Sequence, residues 1–447
     1  MKFFMISECG EGAHLLKMIE NEGNDVQIYI KNPGYRSAWD GLLPKAKKID
    51  PPKDAVVIFD FSGSGTLADK LKKSGWPVVG GSKFADRLEQ DRQFGTDVMV
   101  AAGIKVPLTA EFTKFAEIEG FLKDNGVDED GDERRFVFKP SGKGLPSHLT
   151  YVSIDNDDLR EYVAYAEKNY GKEIESFILQ EFICGVAVST ELWCDGTKFI
   201  QPIIHDIEVK GFMDGCHGPA TGCSGNLVWA EEGNCRISAH GLALVEEQVV
   251  KEGHVGPIDL NAIVNEKGIF GLEWTPRFGY DSTPTYAFLF KDKIGKFFSD
   301  IARGQLTTSM PLSEKFAAGV RFTIPPYPLE IDAEDVQKVR PNLGVPLRGL
   351  TEENVGSLYM YEVMEEDKKL VHSDGTGVLG VAVGTAARPW DAWDKPYRVL
   401  CELKIPELQY RTDLRHVIGD MYDSADYEDG ASTTLGTIPE LELESNG

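Results

Sequence analysis

Two carboxylates and a guanidinium stand close together in the segment Gly256-Pro-Ile-Asp-Leu-Asn-Ala-Ile-Val-Asn-Glu-Lys-Gly-Ile-Phe-Gly-Leu-Glu-Trp-Thr-Pro-Arg-Phe-Gly279. The apolar runs on either side of Asn265 to Gly268 predict two strands joined by a turn, an arrangement that would set Asp259 and Glu273 side by side with Arg277 just beyond. Carboxylates on neighbouring strands are hard oxygen ligands that can hold Mg²⁺ or Mn²⁺ while leaving coordination places for nucleotide phosphates. The chemistry that would suit them is phosphoryl transfer. A plain hairpin, with one solvated acid and one acid paired to Arg277, fits the same residues.

A second cation-bearing motif lies upstream. Lys139 ends the apolar run Phe136-Val137-Phe138 and is followed, after Pro140, by Ser141-Gly142-Lys143-Gly144, a flexible loop able to close over phosphates. Its spacing is not that of a Walker loop, and taken alone it also reads as a surface turn. It does not stand alone. In chain order follow Gln180-Glu181-Phe182, a glycine-rich segment from His217 to Gly225, and then Asp259, Glu273 and Arg277. Cys216, His217, Cys223 and Cys235 match no common zinc spacing, and seven cysteines without a Cys-x-x-Cys pair fit a reducing compartment better than a disulfide framework.

The elements that must carry these residues alternate at first. Lys2 to Ile6, Asp25 to Ile30, Ala55 to Phe61 and Pro77 to Val79 read as strands, with helices at His14 to Glu22 and Thr66 to Lys73. This is a doubly wound parallel pattern whose ligands sit at the carboxyl ends of the strands. The first turn, Glu8 to His14, matches a dinucleotide fingerprint only loosely, and no acid ends the second strand to hold a ribose. A helix is expected over Asp91 to Ala101, and a strand pair over Ser176 to Ile183 and Ala187 to Cys194 about Cys184-Gly185. The glycine-rich stretch near 218–225 reads as a turn, Val320 to Ile324, Val378 to Val383 and Val399 to Ile405 as strands, and the acidic end from about Asp420 as a mobile tail.

Length and charge narrow the class. A chain of 447 residues, 42% hydrophobic, suggests about three domains. No apolar run approaches the roughly 18 residues that span a membrane, and the start carries no signal-peptide cleavage pattern, so a cytoplasmic protein is expected. A net charge of -25 repels a nucleic-acid backbone. Small molecules are the expected partners, and phosphate must be held by local cations, amides or a metal.

The ordered set of motifs resembles the ATP-grasp superfamily and, within it, the phosphoribosylamine–glycine ligase family, over most of the chain. Pro77-Val78-Val79-Gly80 with Leu88 to Phe94 is similar to the family's helix entering the nucleotide domain, Arg92 standing where Lys is usual. Gln180 to Gly185 resembles the adenine-binding hinge; His217 to Gly225 resembles Gly-Pro-Asn-Thr-Gly-Gly-Met-Gly; Glu273 to Gly279 resembles Glu-Phe-Asn-Cys-Arg-Phe-Gly. Arg398 to Leu400 and Tyr410 to Asp413 resemble strands of the family's last domain.

The resemblance implies an α/β chain, α+β in its nucleotide-binding part. Residues 1–100 would form a doubly wound parallel-sheet domain, 101–318 an ATP-grasp domain with a lid at about 135–195, 319–418 a mostly β domain, and 419–447 a flexible tail. It implies an ADP-forming carboxylate–amine ligase with ATP and Mg²⁺ (or Mn²⁺) as cofactors, an acyl-phosphate intermediate, and a monomer or homodimer. Arg92, Lys139, Ser141 and Lys143 would meet phosphate, and Glu181, Phe182 and Ile183 adenine. Asp259, Glu273 and Thr275 would hold the metal. Gly10, Gly12, Gly218, Thr221, Gly222, Ser224, Gly225 and Arg277 would face the substrates, with Arg277 and Lys139 in the catalytic roles. Glycine and a ribosyl or nucleotide amine are the implied pair. The departures are Thr275 for the family's metal-binding Asn, Glu191 as a substitute ribose contact, and Glu11, Gly12 and Ser64 in amino-terminal loops that usually carry Arg and Glu. A ligase joining another amino acid to another amine, and a non-catalytic ATP-binding protein, stay open.

Overall fold

The computed structural model describes residues 1–128, 131–142, 149–233, 235–291, 293–306, 309–329 and 342–427. Its amino-terminal part is the doubly wound unit that the alternating pattern predicts. Strands β1 (Lys2–Ser7), β2 (Asp25–Ile30), β3 (Val56–Phe59) and β4 (Val78–Val79) pair in parallel in the order β2-β1-β3-β4. Helices α1 (Ala13–Asn21) and α2 (Gly65–Lys73) cross between strands, and α3 (Lys83–Gln90) and α4 (Arg92–Ala101) lead out of the unit. Both faces of the sheet are covered, so β1 reads as the near-continuous apolar run Phe3 to Ile6.

A small antiparallel sheet follows, made of β5 (Thr109–Phe112), β6 (Phe136–Ser141), β7 (Tyr151–Val152) and β8 (Ser176–Glu181) in the order β5-β8-β6-β7. It has its own core, in which Phe136, Phe138 and Phe177 pack with Leu159 of the helix Asn156–Tyr170.

The rest is organised on one sheet of eight strands, in the order β13-β12-β9-β10-β11-β14-β18-β15. Its members are β9 (Val186–Cys194), β10 (Phe199–Met213), β11 (His217–Glu231), β12 (Gly256–Asn265), β13 (Gly268–Thr275), β14 (Phe316–Thr323), β15 (Leu358–Met360) and β18 (Val378–Ala386). The hairpin β16 (Val363–Glu366) and β17 (Lys369–His372) stands beside it.

Several expectations are corrected here. β8 and β9 do not pair; they lie in different sheets, so the strand Val186–Cys194 belongs to the large sheet rather than to a lid reaching 195. The glycine-rich stretch is the beginning of the long strand β11 and not a turn. Val399 to Ile405 is no strand: Asp394–Glu402 is a helix that buries Pro396, Val399 and Leu400, spaced for one helical face, with Pro396 in its first turn where its missing N–H costs nothing. Tyr410 to Asp413 forms no strand either, and the tail begins as the helix Leu414–Tyr427. Among the described residues no helix is long and apolar enough to cross a membrane.

Candidate active site

The hairpin β12–β13 forms as the apolar runs dictate, but its register differs from simple counting back from the turn. A bulge between Asn261 and Ala262 shifts the pairing, so that Asn261 faces Glu273 and Asp259 faces Thr275. Asp259 and Glu273 are therefore diagonal, not side by side. Asp259 is 4% exposed and takes a hydrogen bond from Ser189. Burial pushes its carboxyl up to about 7, with the Ser189 bond working against that rise. Glu273 is exposed and has no hydrogen-bond or ion-pair partner among the described residues. Asn261 donates its amide to Thr275 Oγ1 at 3.0 Å and, weakly, to Asp259 at 3.5 Å, which leaves its Oδ1 open.

Glu273 and Thr275 line a cavity of about 240 Å³ that also receives Arg92 from the start of α4, Lys139 from β6, Gln180 from β8 and Arg277. Lys139 donates to Gln180 Oε1 at 2.6 Å. Burial and the neighbouring Arg92 lower its pKa, and Glu273 raises it. Arg277, 14% exposed at its side chain, gives its Nε to Glu89 Oε1 at 3.0 Å and its Nη1 to the Phe278 carbonyl at 3.0 Å. Its guanidinium lies 4.2 Å from the centre of the Tyr280 ring.

Tyr280 is also a wall of a second cavity, of about 230 Å³, between the carboxyl ends of the amino-terminal strands and the carboxyl-terminal strands. Gly10, Glu11 and Gly222 line it. The Arg277–Tyr280 contact is thus the joint between a cavity of cations and oxygen ligands and a cavity at the first βα turn.

The other expected residues fall as follows. Glu181 pairs with Arg134 at 3.3 Å and accepts the Leu108 N–H at 3.2 Å, and its own N–H goes to the Leu108 carbonyl. The Phe182 N–H goes to the Arg135 carbonyl at 2.8 Å, and the Arg135 guanidinium covers the Phe182 ring. Those two amides are committed to the chain, and Ile183 follows them beyond the Gln180 edge of the cavity. Ser141 is exposed at the end of β6, and Lys143 lies outside the described residues. Gly12 donates to Asp60 at 2.8 Å, and a Cβ there would come within 2.7 Å of the same carboxylate. Thr221 Oγ1 donates to the Lys210 carbonyl and sits 3.1 Å from Ser224 Oγ. Gly218 is an exposed residue of β11 with φ +76°, and Gly225 is a packing glycine whose Cβ would lie 2.2 Å from Leu414 Cδ1. Glu191 is 1% exposed, with its Oε1 held by Trp193, and is not available to a ribose.

Sequence reasoning missed Asn261, Glu89 and Tyr280. The first was readable only through the bulge; the other two are brought to Arg277 by tertiary packing and carry no local signal.

No family model matches the chain. Curated relatives do. A phosphoribosylamine–glycine ligase of Streptococcus pneumoniae is 25% identical over 93% of this chain and 99% of its own length. One of Streptomyces coelicolor is 26% identical over 78% of this chain and 80% of its own. Among solved structures, the phosphoribosylamine–glycine ligase of Thermotoga maritima superposes with a TM-score of 0.67 at 20% identity, covering 92% of this chain and all of that one. The biotin carboxylase of Campylobacter jejuni, solved as a β,γ-ATP complex, superposes with a TM-score of 0.59 at 13% identity over 96% of this chain and 97% of its own. The chain thus has the ATP-grasp fold and is similar, along nearly its whole length, to the phosphoribosylamine–glycine ligases.

Proposed function

We propose that this chain is an ATP-dependent, ADP-forming ligase that joins the carboxylate of glycine to an amine of ribosyl or nucleotide type. The observation that carries the reading is the meeting of two cavities at Arg277: one supplies Lys139, Arg92 and Glu273 for a triphosphate, the other opens at the first βα turn for an acceptor.

Phosphoryl transfer asks a protein for positioning and charge neutralisation rather than for a nucleophile. Lys139 and Arg92 supply positive charge to the phosphates. Glu273, the open Oδ1 of Asn261 and Thr275 Oγ1 form a hard oxygen set that fits Mg²⁺, with Asp259 behind them as a buried acid that a nearby cation would favour in its ionised form. Such an ion, when bound, neutralises the charge that develops on the phosphate oxygens. Arg277, steadied by Glu89 and Tyr280, holds the glycine carboxylate between the two cavities. One carboxylate oxygen attacks the γ-phosphorus and ADP leaves; the amine nitrogen then attacks the acyl carbon, and the carbon–oxygen bond to phosphate breaks.

The test is the nucleotide product. Glycine-dependent release of ADP and phosphate from Mg-ATP is expected, and stoichiometric AMP with pyrophosphate would rule the mechanism out.

A further inference from the structure

The acceptor cavity has a chemistry that a phosphorylated amine does not match. Among the described residues its one lining cation, Arg321, is already spent: Nε donates to Asp281 Oδ2 at 2.9 Å and Nη2 to Oδ1, in a two-point pair with a carboxylate that is fully buried. Two acids face the same space. Glu362 is fixed by the Gly377 N–H at 2.7 Å, the Val378 N–H at 2.9 Å and the Thr376 hydroxyl at 3.1 Å, with His372 Nε2 behind it at 3.2 Å. The Glu11 carbonyl accepts from the Tyr359 hydroxyl at 3.0 Å, while its carboxylate has no hydrogen-bond or ion-pair partner among the described residues. Tyr35, Tyr280 and Tyr361 supply ring faces and edges.

Four of the backbone donors around the first βα turn are also taken. At the start of α1 the Gly12 N–H goes to Asp60, the Ala13 N–H to the Gly10 carbonyl at 3.1 Å and the Leu15 N–H to the Tyr359 hydroxyl at 3.3 Å. The Gly10 N–H goes to Ser7 Oγ at 2.7 Å, and Ser7 Oγ itself donates to Asp60 at 2.6 Å. The positive end of that helix, a ready anion site in other folds, is thus answered by the chain's own carboxylate.

We propose that this cavity takes the amine substrate as an unphosphorylated cation, with Glu11 as the counter-ion of its ammonium and the tyrosines against its body, and that it rejects the phosphorylated counterpart. The inference rests on the ligase reading above and narrows its amine. An ammonium beside Glu11 satisfies a carboxylate that burial and Asp60 hold at about 7. A phosphate dianion in the same place meets Glu11, Glu362 and the Asp281–Arg321 pair with no free cation among the described lining residues. Before attack the ammonium passes one proton to the Glu11 carboxylate, and the nitrogen lone pair so released forms the bond to the acyl carbon as the carbon–oxygen bond to phosphate breaks, the second nitrogen proton leaving with the phosphate as HPO4²⁻.

A matched pair of amines differing only in phosphate decides the matter. Ribose and ribose 5-phosphate, each mixed with ammonia, give ribosylamine and phosphoribosylamine in situ. With the full chain, Mg-ATP and glycine, ribosylamine should exceed phosphoribosylamine in kcat/KM for ADP release by about tenfold or more. Glu11→Gln should shrink that ratio, and Glu11→Arg should reverse it. Equal use of the two amines, preference for the phosphorylated one, or no acceleration by either amine would overturn the proposal. Hydroxylamine trapping of glycyl phosphate separates this from the parent reading, because it needs only ATP and glycine. Hydroxamate formed with the wrong amine preference defeats the cavity proposal alone, whereas no hydroxamate defeats the ligase reading and this inference with it.

Discussion

Glu191 lies opposite Asp259 across β9 and β12, 1% exposed, with Oε1 held by the Trp193 indole at 2.9 Å and the buried Tyr286 hydroxyl beside its carboxyl. Burial first, and Asp259 second, push its carboxyl from an ordinary 4.5 to about 8. At about 1.4 kcal/mol per pKa unit, that rise corresponds to a pH-linked stability change on the order of 5 kcal/mol. The sign follows from proton counting. Between pH 4.5 and about 8 the folded chain holds a proton on Glu191 that the unfolded chain has lost. Stability from this group is therefore full below 4.5, falls as pH rises through that window, and levels off above the folded value. Glu191→Gln copies the protonated shape and cannot ionise, so it should erase this slope. Asp60, raised to about 6, and Asp259, raised to about 7, titrate in both proteins, and the comparison cancels most of their part. Urea unfolding at pH 5 and pH 8, followed by tryptophan fluorescence with Trp193 in contact with the site, measures the difference. The variant should gain on the wild type by on the order of 4 kcal/mol between the two pH values. Parallel pH dependence in the two proteins would refute the assignment of a neutral buried Glu191.

Two further outcomes follow from the same geometry. Glu273→Gln and Asn261→Ala should each raise the Mg²⁺ concentration needed for half-maximal ADP release, the first with a loss of about a hundredfold or more in kcat, because the first removes a ligand's charge and the second an oxygen ligand, and both leave the hairpin paired; a magnesium titration reads it. Gly225→Ala should destabilise by about 1–3 kcal/mol, since its Cβ would meet Leu414 Cδ1 at 2.2 Å and the Gly319 carbonyl at 2.8 Å; a lowered urea midpoint checks it.

The parallel unit and the hairpin were legible because their strands are long apolar runs broken by turn residues, a signal that survives without tertiary context. The hairpin's register was not, because one bulged residue moves every later partner and leaves no mark in composition. Gly218 to Gly225 reads as a loop by its glycines. Gly225 instead pairs with Val209 and Val320 inside the sheet, and the position excludes a Cβ because Leu414 and the Gly319 backbone crowd it. The helix at Asp394–Glu402 was hidden by Val399 and Leu400, adjacent apolar residues that read as strand unless Pro396 and the following turn are counted with them. Lys139, Arg92 and Glu273 come from three separate elements, with Arg277 in the loop that follows β13, and the joining of the first two to the hairpin was readable only through the family resemblance.

The small sheet joins the rest of the molecule through two stretches of chain, one before β5 and one after β8, and both are fastened to the turn end of the β12–β13 hairpin. The Lys105 carbonyl takes the Gly271 N–H at 2.8 Å and its Nζ reaches the Lys267 carbonyl, while Asn265 Nδ2 holds the Cys184 carbonyl at 2.7 Å. The hairpin that carries Glu273 and Asn261 is therefore also the bearing on which the small sheet is mounted. Any rotation of that sheet swings Lys139 about an axis anchored beside the oxygen ligands, so the distance from ammonium to phosphate changes while the ligand set keeps its place on the large sheet. On the proposed ligase reading, triphosphate entry and release would be gated by that one lysine arm, with the cavity between the parallel unit and the same eight strands left undisturbed.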